Sequence, residues 1–257
     1  MQQSTVGAIE IAAPLAEVFY SVQGEGLLVG LPQIFVRLAG CDLDCLYCDT
    51  PYARSCPPLA RFEGLGGEQH TAENPVALSD VVAAVGELRA GHPGNAVHSC
   101  ALTGGEPLLY PDFCLALAGA LQQCDLPVLL ETAGHHPGAL RRISPFVSWV
   151  CMDLKLPSTL RTPLPLELFA WSAAACQAEL FVKVPVAEIV SAEEFSEGVG
   201  VLAEARSELT LIVQPITSAG GLTAPRFPRL LDMLNIAAQL FSEVRIIPQC
   251  HQLMGAP

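Results

Sequence analysis

The stretch "QIFVRLAGCDLDCLYCDTPY", residues 33–52, joins an apolar, β-branched run to three cysteines, Cys41, Cys45 and Cys48, in the pattern C-x3-C-x2-C. The run 33–40 reads as a buried strand, so the cysteines fall just past its C-terminal end. Tetrahedral metal sites usually take four protein ligands, yet no fourth cysteine follows at a short spacing; the next, Cys56, lies beside Pro57 and Pro58.

Outward from this stretch the same strand type recurs. Apolar runs stand at "AVHSCALT" (96–103), "PVLLET" (127–132), "FVSWVCMDLK" (146–155), "ELFVKVPV" (179–186) and "LTLIVQPI" (209–216), with "EVRIIPQ" (243–249) as a candidate last strand. Helix-like stretches separate them. "LSDVVAAVGELRA" carries apolar residues at a 3.6-residue period with Ser79 placed to cap, and "YPDFCLALAGALQQC" opens with Pro111, suited to a first helical turn. "PLELFAWSAAACQ", "SAEEFSEGVGVLAEA" and "PRFPRLLDMLNIAAQLF" complete the series. Strand and helix alternating about six times predict an α/β fold with a parallel sheet and right-handed crossovers, in the form of a partial, open βα barrel. In such folds sites gather at the C-terminal ends of the strands. The cysteine motif, "TGGEP", "ETAG", "DLK" and "QPIT" all fall there and converge on one rim. Segment 53–77, rich in Gly, Pro and polar residues, is expected to be a long surface loop.

Composition bounds the function. At 257 residues with 51% hydrophobic and 15% charged residues, the chain has material for one sizeable core, and we expect a single domain over 1–257. A net charge of −13 argues against a nucleic-acid partner. No apolar run reaches the about 18 residues of a membrane span. The N-terminus lacks a basic leader, so a cytoplasmic location is expected. In that reducing setting closely spaced cysteines point to metal or cluster ligation, and the seven others read as small packing residues.

The motif C-x3-C-x2-C with Tyr47 before the third cysteine, ending the first strand of a βα series and followed by "LTGGEP" (102–107), resembles the radical S-adenosylmethionine superfamily. The resemblance implies one [4Fe-4S] cluster on Cys41, Cys45 and Cys48, its open iron chelated by S-adenosyl-L-methionine. "EVFYSVQGEGLLVGLPQIFVRLAGCDLDCLYCDT" (17–50), the tripeptide Cys48-Asp49-Thr50 and the ending "PQCHQLMGAP" narrow it to the 7-carboxy-7-deazaguanine synthase family. That family is implied to contract 6-carboxy-5,6,7,8-tetrahydropterin to a deazapurine with release of ammonia, using Mg2+, as a homodimer fed by a flavodoxin- or ferredoxin-type electron donor.

Carried onto this sequence, the pattern assigns Mg2+ to Thr50. It gives the cofactor to Tyr47, Cys48, Asp49, Gly105, Asp153, Leu154, Lys155, Gln214, Pro215, Ile216 and Thr217. Substrate contacts fall to Val22, Gln23, Gly24, Glu25, Arg37, Thr103, His251 and the terminal carboxylate of Pro257, on a tail (249–257) that closes the site. The chemistry fits the residues. "SVQGEG" offers backbone groups and a carboxylate to a pterin edge, and Arg37 a bidentate guanidinium to a carboxylate. A lone Thr hydroxyl is a weak ligand, so Mg2+ would need substrate oxygens. Gly104 and Gly105 are expected to let the cofactor approach closely. Two alternatives stand beside this reading: a glycyl-radical-enzyme activating enzyme, which shares C-x3-C-x2-C and GGEP, and a zinc-binding interaction module.

Overall fold

The computed structural model describes residues 10–94, 96–217 and 220–256. In chain order the strands are β1 (Ala12–Ala13), β2 (Leu15–Val22), β3 (Pro32–Leu38), β4 (Leu59–Glu63), β5 (Gln69–Glu73), β6 (Val76–Ala77), β7 (Ser99–Gly104), β8 (Val128–Thr132), β9 (Trp149–Asp153), β10 (Glu179–Val186), β11 (Thr210–Pro215) and β12 (Glu243–Ile246). The helices are α1 (Leu78–Gly91), α2 (Pro111–Gln123), α3 (Pro137–Ile143), α4 (Glu167–Ala175), α5 (Ala192–Ala205), α6 (Phe227–Ala237) and α7 (Cys250–Met254).

Ten strands form one sheet in the order β12-β11-β10-β9-β8-β7-β3-β2-β4-β5. From β3 through β12 every neighbouring pair is parallel, as the alternation of strand and helix predicts, and "EVRI" supplies the last strand. Period-two alternation splits the sheet's two faces. Ile34, Val36 and Leu38 of β3, Leu102 of β7, Leu130 of β8 and Val182 and Val184 of β10 join the large core beneath the helices. Phe35, Ala101, Leu129, Cys151, Phe181 and Ile212 point the other way and make a second apolar layer on the concave face. Above that layer, toward the C-terminal ends of the strands, the concave face turns polar. This is a partial barrel whose interior is apolar at the bottom and charged at the top.

Three expectations need correction. Segment 53–77 is not a bare loop, because Leu59–Glu63 and Gln69–Glu73 pair as an antiparallel hairpin, and β4 adds to β2 in parallel with Glu17 opposite Arg61. The Gly and Pro residues that suggest a loop sit at its turn and flanks. "LAEVFYSV" forms β2, antiparallel to β3, a strand absent from the sequence-based series. Ser79 is the second residue of α1 rather than its cap; Ala77 holds the cap position without a side-chain bond, and Ser79 Oγ donates to Glu10 Oε1 at 3.0 Å.

Candidate active site

The loop bearing the cysteines is held from two sides. Gly40 N donates to Ala53 O at 2.8 Å and Cys41 N to Arg54 O at 3.1 Å, which closes the loop on itself. Leu46 N donates to Thr159 O and Arg161 N to Asp44 O, each at 3.0 Å, which ties it to the segment after β9. Asp42 anchors the far side, with Oδ1 2.9 Å from His135 Nε2 and Oδ2 3.1 Å from His136 Nε2 in the loop after β8. All ten cysteines are free, and Cys41, Cys45 and Cys48 are half-buried on this loop while Cys100, Cys114, Cys151 and Cys176 pack in the interior.

The three sulfurs suit a cluster better than one ion. Among the described residues, the groups whose ligand atoms all lie within 4.8 Å of one another are Asp42–His135–His136 and Glu25–Asp49–His251, and the cysteine trio is not one of them. A single zinc about 2.3 Å from each sulfur would need sulfur–sulfur separations below about 4 Å. Thiolates spread over a wider span match an iron–sulfur core. Burial pushes the Cys41 thiol up to about 11 and raises Cys45 as well, although Lys155 opposes the latter. Binding there must therefore displace protons, as thiolate ligation does.

The Gly-Gly-Glu element after β7 does structural work that its glycines make possible. Gly104 has φ +137, and a Cβ there would stand 2.2 Å from Leu38 O; at Gly105 one would stand 2.0 Å from Gly40 O. The absent side chains thus let β7 and its loop lie against the strand end and cysteine loop of β3. The glycines thus have a packing role beside the close cofactor approach expected of them. Glu106 is fully buried and accepts from Leu108 N at 2.9 Å and Thr132 Oγ1 at 2.7 Å through Oε1, and from Ala133 N at 2.8 Å through Oε2. It latches the β7 and β8 loops together.

These loops surround a cavity of about 390 Å³. Cys41, Cys45, Tyr47, Cys48, Asp49 and Thr50 form one wall, with Thr103 and Gly105 beside them. Glu131, Asp153, Lys155 and Gln214 rise from the strand ends, and Val22 to Glu25, Arg37 and His251 complete the enclosure. Four assigned residues stand elsewhere. Leu154 packs into the helix-side core, being one residue out of phase with Asp153. Pro215, Ile216 and Thr217 line a shallower depression behind the tail. Pro257 lies outside the described residues.

The charged top of the barrel is a connected network. Lys155 Nζ donates to Asp153 Oδ2 at 2.7 Å, and its cation sits 5.1 Å over the Tyr47 ring. Lys183, from β10, pairs with Glu25 Oε2 and stands 3.3 Å from Asp153 Oδ1. Burial disfavours both ammonium groups, but Asp153 above all holds each pKa well above the usual value. Burial would likewise push Glu25 up, yet Lys183 keeps it below the usual carboxylate range, whereas Glu131 is raised by its burial. Gln23 Nε2 donates to Gln33 Oε1 at 3.0 Å and to Glu131 Oε1 at 3.3 Å, and its own Oε1 accepts from Glu25 N at 3.0 Å. Gln214 Oε1 is buried with no donor among the described residues, an acceptor left over for a bound molecule.

The tail closes this network. Cys250 N donates to Gly24 O at 2.9 Å, and a Cβ on Gly24 would stand 2.4 Å from His251 Cβ, so this glycine is what lets the tail dock. Gln249 Nε2 bridges Glu25 Oε1 at 2.8 Å and Asp49 Oδ2 at 3.0 Å, tying the "QGEG" turn, the cysteine loop and the tail together. Thr50 precedes a short turn, Pro51–Ala53, but its hydroxyl makes no capping bond. Lys183 and Gln249 were missed from sequence. Lys183 interrupts an apolar strand just as Arg37 does, a signal that applies equally to both.

Residues 35–161 match the family model described as the radical SAM superfamily. The 7-carboxy-7-deazaguanine synthase of Geobacter sulfurreducens is 39% identical over 247 residues, 95% of this chain and 97% of that protein. Its namesake in Methanothermobacter thermautotrophicus is 34% identical over 271 residues, 96% of this chain and 99% of that protein. Among solved structures, QueE from Escherichia coli superposes with a TM-score of 0.61 at 22% identity, over 93% of this chain and 95% of that one. A radical SAM methyltransferase from Sphaerobacter thermophilus gives 0.57 at 14% identity over 92% and 77%. At those identities the structural likenesses speak to the fold.

Proposed function

Because this chain belongs to the 7-carboxy-7-deazaguanine synthase family, we infer that it contracts 6-carboxy-5,6,7,8-tetrahydropterin to 7-carboxy-7-deazaguanine with loss of ammonia. The observation that carries the reading is convergence: the cysteine loop, the Gly-Gly-Glu loop and a rim of paired charges share one cavity. Cys41, Cys45 and Cys48 would hold a [4Fe-4S] cluster that, with S-adenosyl-L-methionine bound, would supply the electron and the carbon radical that start the chemistry.

The chain's own residues bind, orient and exclude. Lys155, Asp153 and Gln214 address the cofactor's polar end, and Tyr47 and Asp49 flank it beside the cluster. Glu25, kept ionised by Lys183, accepts from the N–H groups of the pterin edge, and the backbone of Val22 to Gly24 pairs with its remaining polar atoms. Arg37 receives the substrate carboxylate, with Thr103 beside it. His251 and the docked tail cover the site and keep water from a reactive carbon centre. The hydroxyl of Thr50, which makes no capping bond, would offer one ligand to a Mg2+, a weak site by itself, and the ion would serve to offset charge during ring contraction.

In this reading residues 1–257 work as one domain, as a cytoplasmic homodimer, taking electrons from a flavodoxin- or ferredoxin-type donor. Among the described residues no helix is long and apolar enough to cross a membrane. Anaerobic purification tests the cluster. About four irons and four sulfides per chain are expected, with S-adenosyl-L-methionine changing the spectrum of the reduced centre; a colourless protein holding one zinc and no sulfide would overturn the reading.

A further inference from the structure

Arg37 does not stand alone. Its Nε donates to Glu17 Oε1 at 2.9 Å, and its guanidinium carbon lies 5.4 Å from the Phe19 ring centroid, so the group is stacked and held at one edge. An isolated Arg–Glu pair is neutral and a poor receptor for an anion. Here Glu17 is shared. Its Oε2 accepts from Arg61 Nη2 at 2.7 Å, and its Oε1 also accepts from Tyr52 Oη at 2.6 Å. Two guanidiniums on one carboxylate leave a net charge of about +1, and the terminal nitrogens of Arg37 make no hydrogen bond with another described residue. Arg61 comes from the β4–β5 hairpin, opposite Glu17 in register, and lies over the Tyr52 ring at 5.4 Å. Arg37 and Tyr52 wall the cavity, whereas Glu17 and Arg61 stand behind them.

We propose that Glu17, Tyr52 and Arg61 are positioning residues that aim the terminal nitrogens of Arg37 into the cavity and leave it net cationic. The edge hairpin is thereby a specificity element for carboxylated over uncarboxylated tetrahydropterins. The proposal rests on the reading above that Arg37 receives the substrate carboxylate. With Arg61 in place, half of Glu17 is engaged away from Arg37; without it, the full carboxylate charge falls on Arg37 and cancels the field a substrate anion would meet.

The test uses the cluster-loaded enzyme and compares Arg61→Met, Arg61→Lys and Arg37→Met. Arg61 is 54% exposed, so its replacement leaves the core alone. Arg61→Met should raise KM for 6-carboxytetrahydropterin about tenfold, with the loss in KM rather than kcat. The inhibition constant of 6-methyltetrahydropterin, which lacks the carboxylate, should stay unchanged. Arg61→Lys should recover most of the loss. If Arg37→Met raises KM while Arg61→Met leaves it within about twofold, the positioning role is overturned. Equal weakening of both pterins by Arg61→Met would mark a merely structural role and overturn it too. An unchanged KM in Arg37→Met would instead refute the carboxylate reading beneath it.

Discussion

Gly24 shows how much one residue can carry here. The tail docks because no side chain stands between its turn and His251, so Gly24→Ala, with its Cβ 2.4 Å from His251 Cβ, should displace the tail. The expected outcome is a KM for substrate raised about tenfold at unchanged iron and sulfide content, read by steady-state kinetics and metal analysis. His251 adds a pH dependence. Asp49, whose Oδ2 lies 3.7 Å from His251 Nε2, raises the His251 pKa above the ordinary value despite partial burial. A raised folded-state pKa stabilises the docked tail below the ordinary histidine pKa, and that contribution is lost as pH rises through the higher value. Tail protection measured by hydrogen exchange should therefore fall from mildly acid to alkaline pH, and His251→Gln should flatten the trend. Cys41, Cys45, Cys48, Glu25 and Arg37 are legible as residues because each departs from its local pattern, by tight cysteine spacing, a polar turn or a cation in an apolar strand, whereas Thr50 is singled out by family resemblance alone. Their partners were not, since Glu17 and Gln249 sit in ordinary amphipathic and terminal stretches and gain meaning only from what folds against them.

At the scale of elements, the Gly-Gly-Glu loop and the hairpin set the geometry. Glu106→Gln would place amide hydrogens where Leu108 N, Thr132 Oγ1 and Ala133 N now donate, leaving at least one buried donor unpaired. A loss of about 1–3 kcal/mol is expected, visible as a lowered thermal midpoint of the anaerobic holoenzyme. Most of the parallel strands can be read from sequence because they are largely apolar runs buried on both faces with a helix-length interval between, whereas β12, with Glu243 and Arg245 exposed, is only a candidate there. The short elements could not. α3 spans 7 residues and α7 spans 5, too few turns for a period to show. β4 alternates exposed positions with the buried Ala60 and Phe62, and β5 at the sheet edge is almost wholly exposed, so no apolar run announces them. β2 pairs antiparallel with the β3 that follows it across segment 23–31, an arrangement that repeated strand–helix units do not suggest.

In the molecule as a whole, a seven-strand parallel run presents its C-terminal ends to one cavity, where the turn at 22–25 meets the segment 249–256. The rim was foreseeable because parallel strands put every such end on the same side. The closure by the tail and His251 is expected only through family resemblance, and the bridge made by Gln249 not at all, since contacts 224 and 200 residues apart in sequence leave no local trace. The ledger of charges inside the cavity, with Lys155 and Lys183 set against Asp153, Glu25 and Glu131, belongs to the fold alone. All of it serves one claim: that this rim turns a carboxylated tetrahydropterin into a deazapurine. The direct test is an anaerobic incubation of the reconstituted enzyme with dithionite, S-adenosyl-L-methionine, Mg2+ and 6-carboxy-5,6,7,8-tetrahydropterin, with products identified by mass. 7-Carboxy-7-deazaguanine and ammonia are expected in equal amounts from the wild type and neither from Cys48→Ala. Cofactor cleavage in the fully loaded wild type with the pterin returned intact would contradict it.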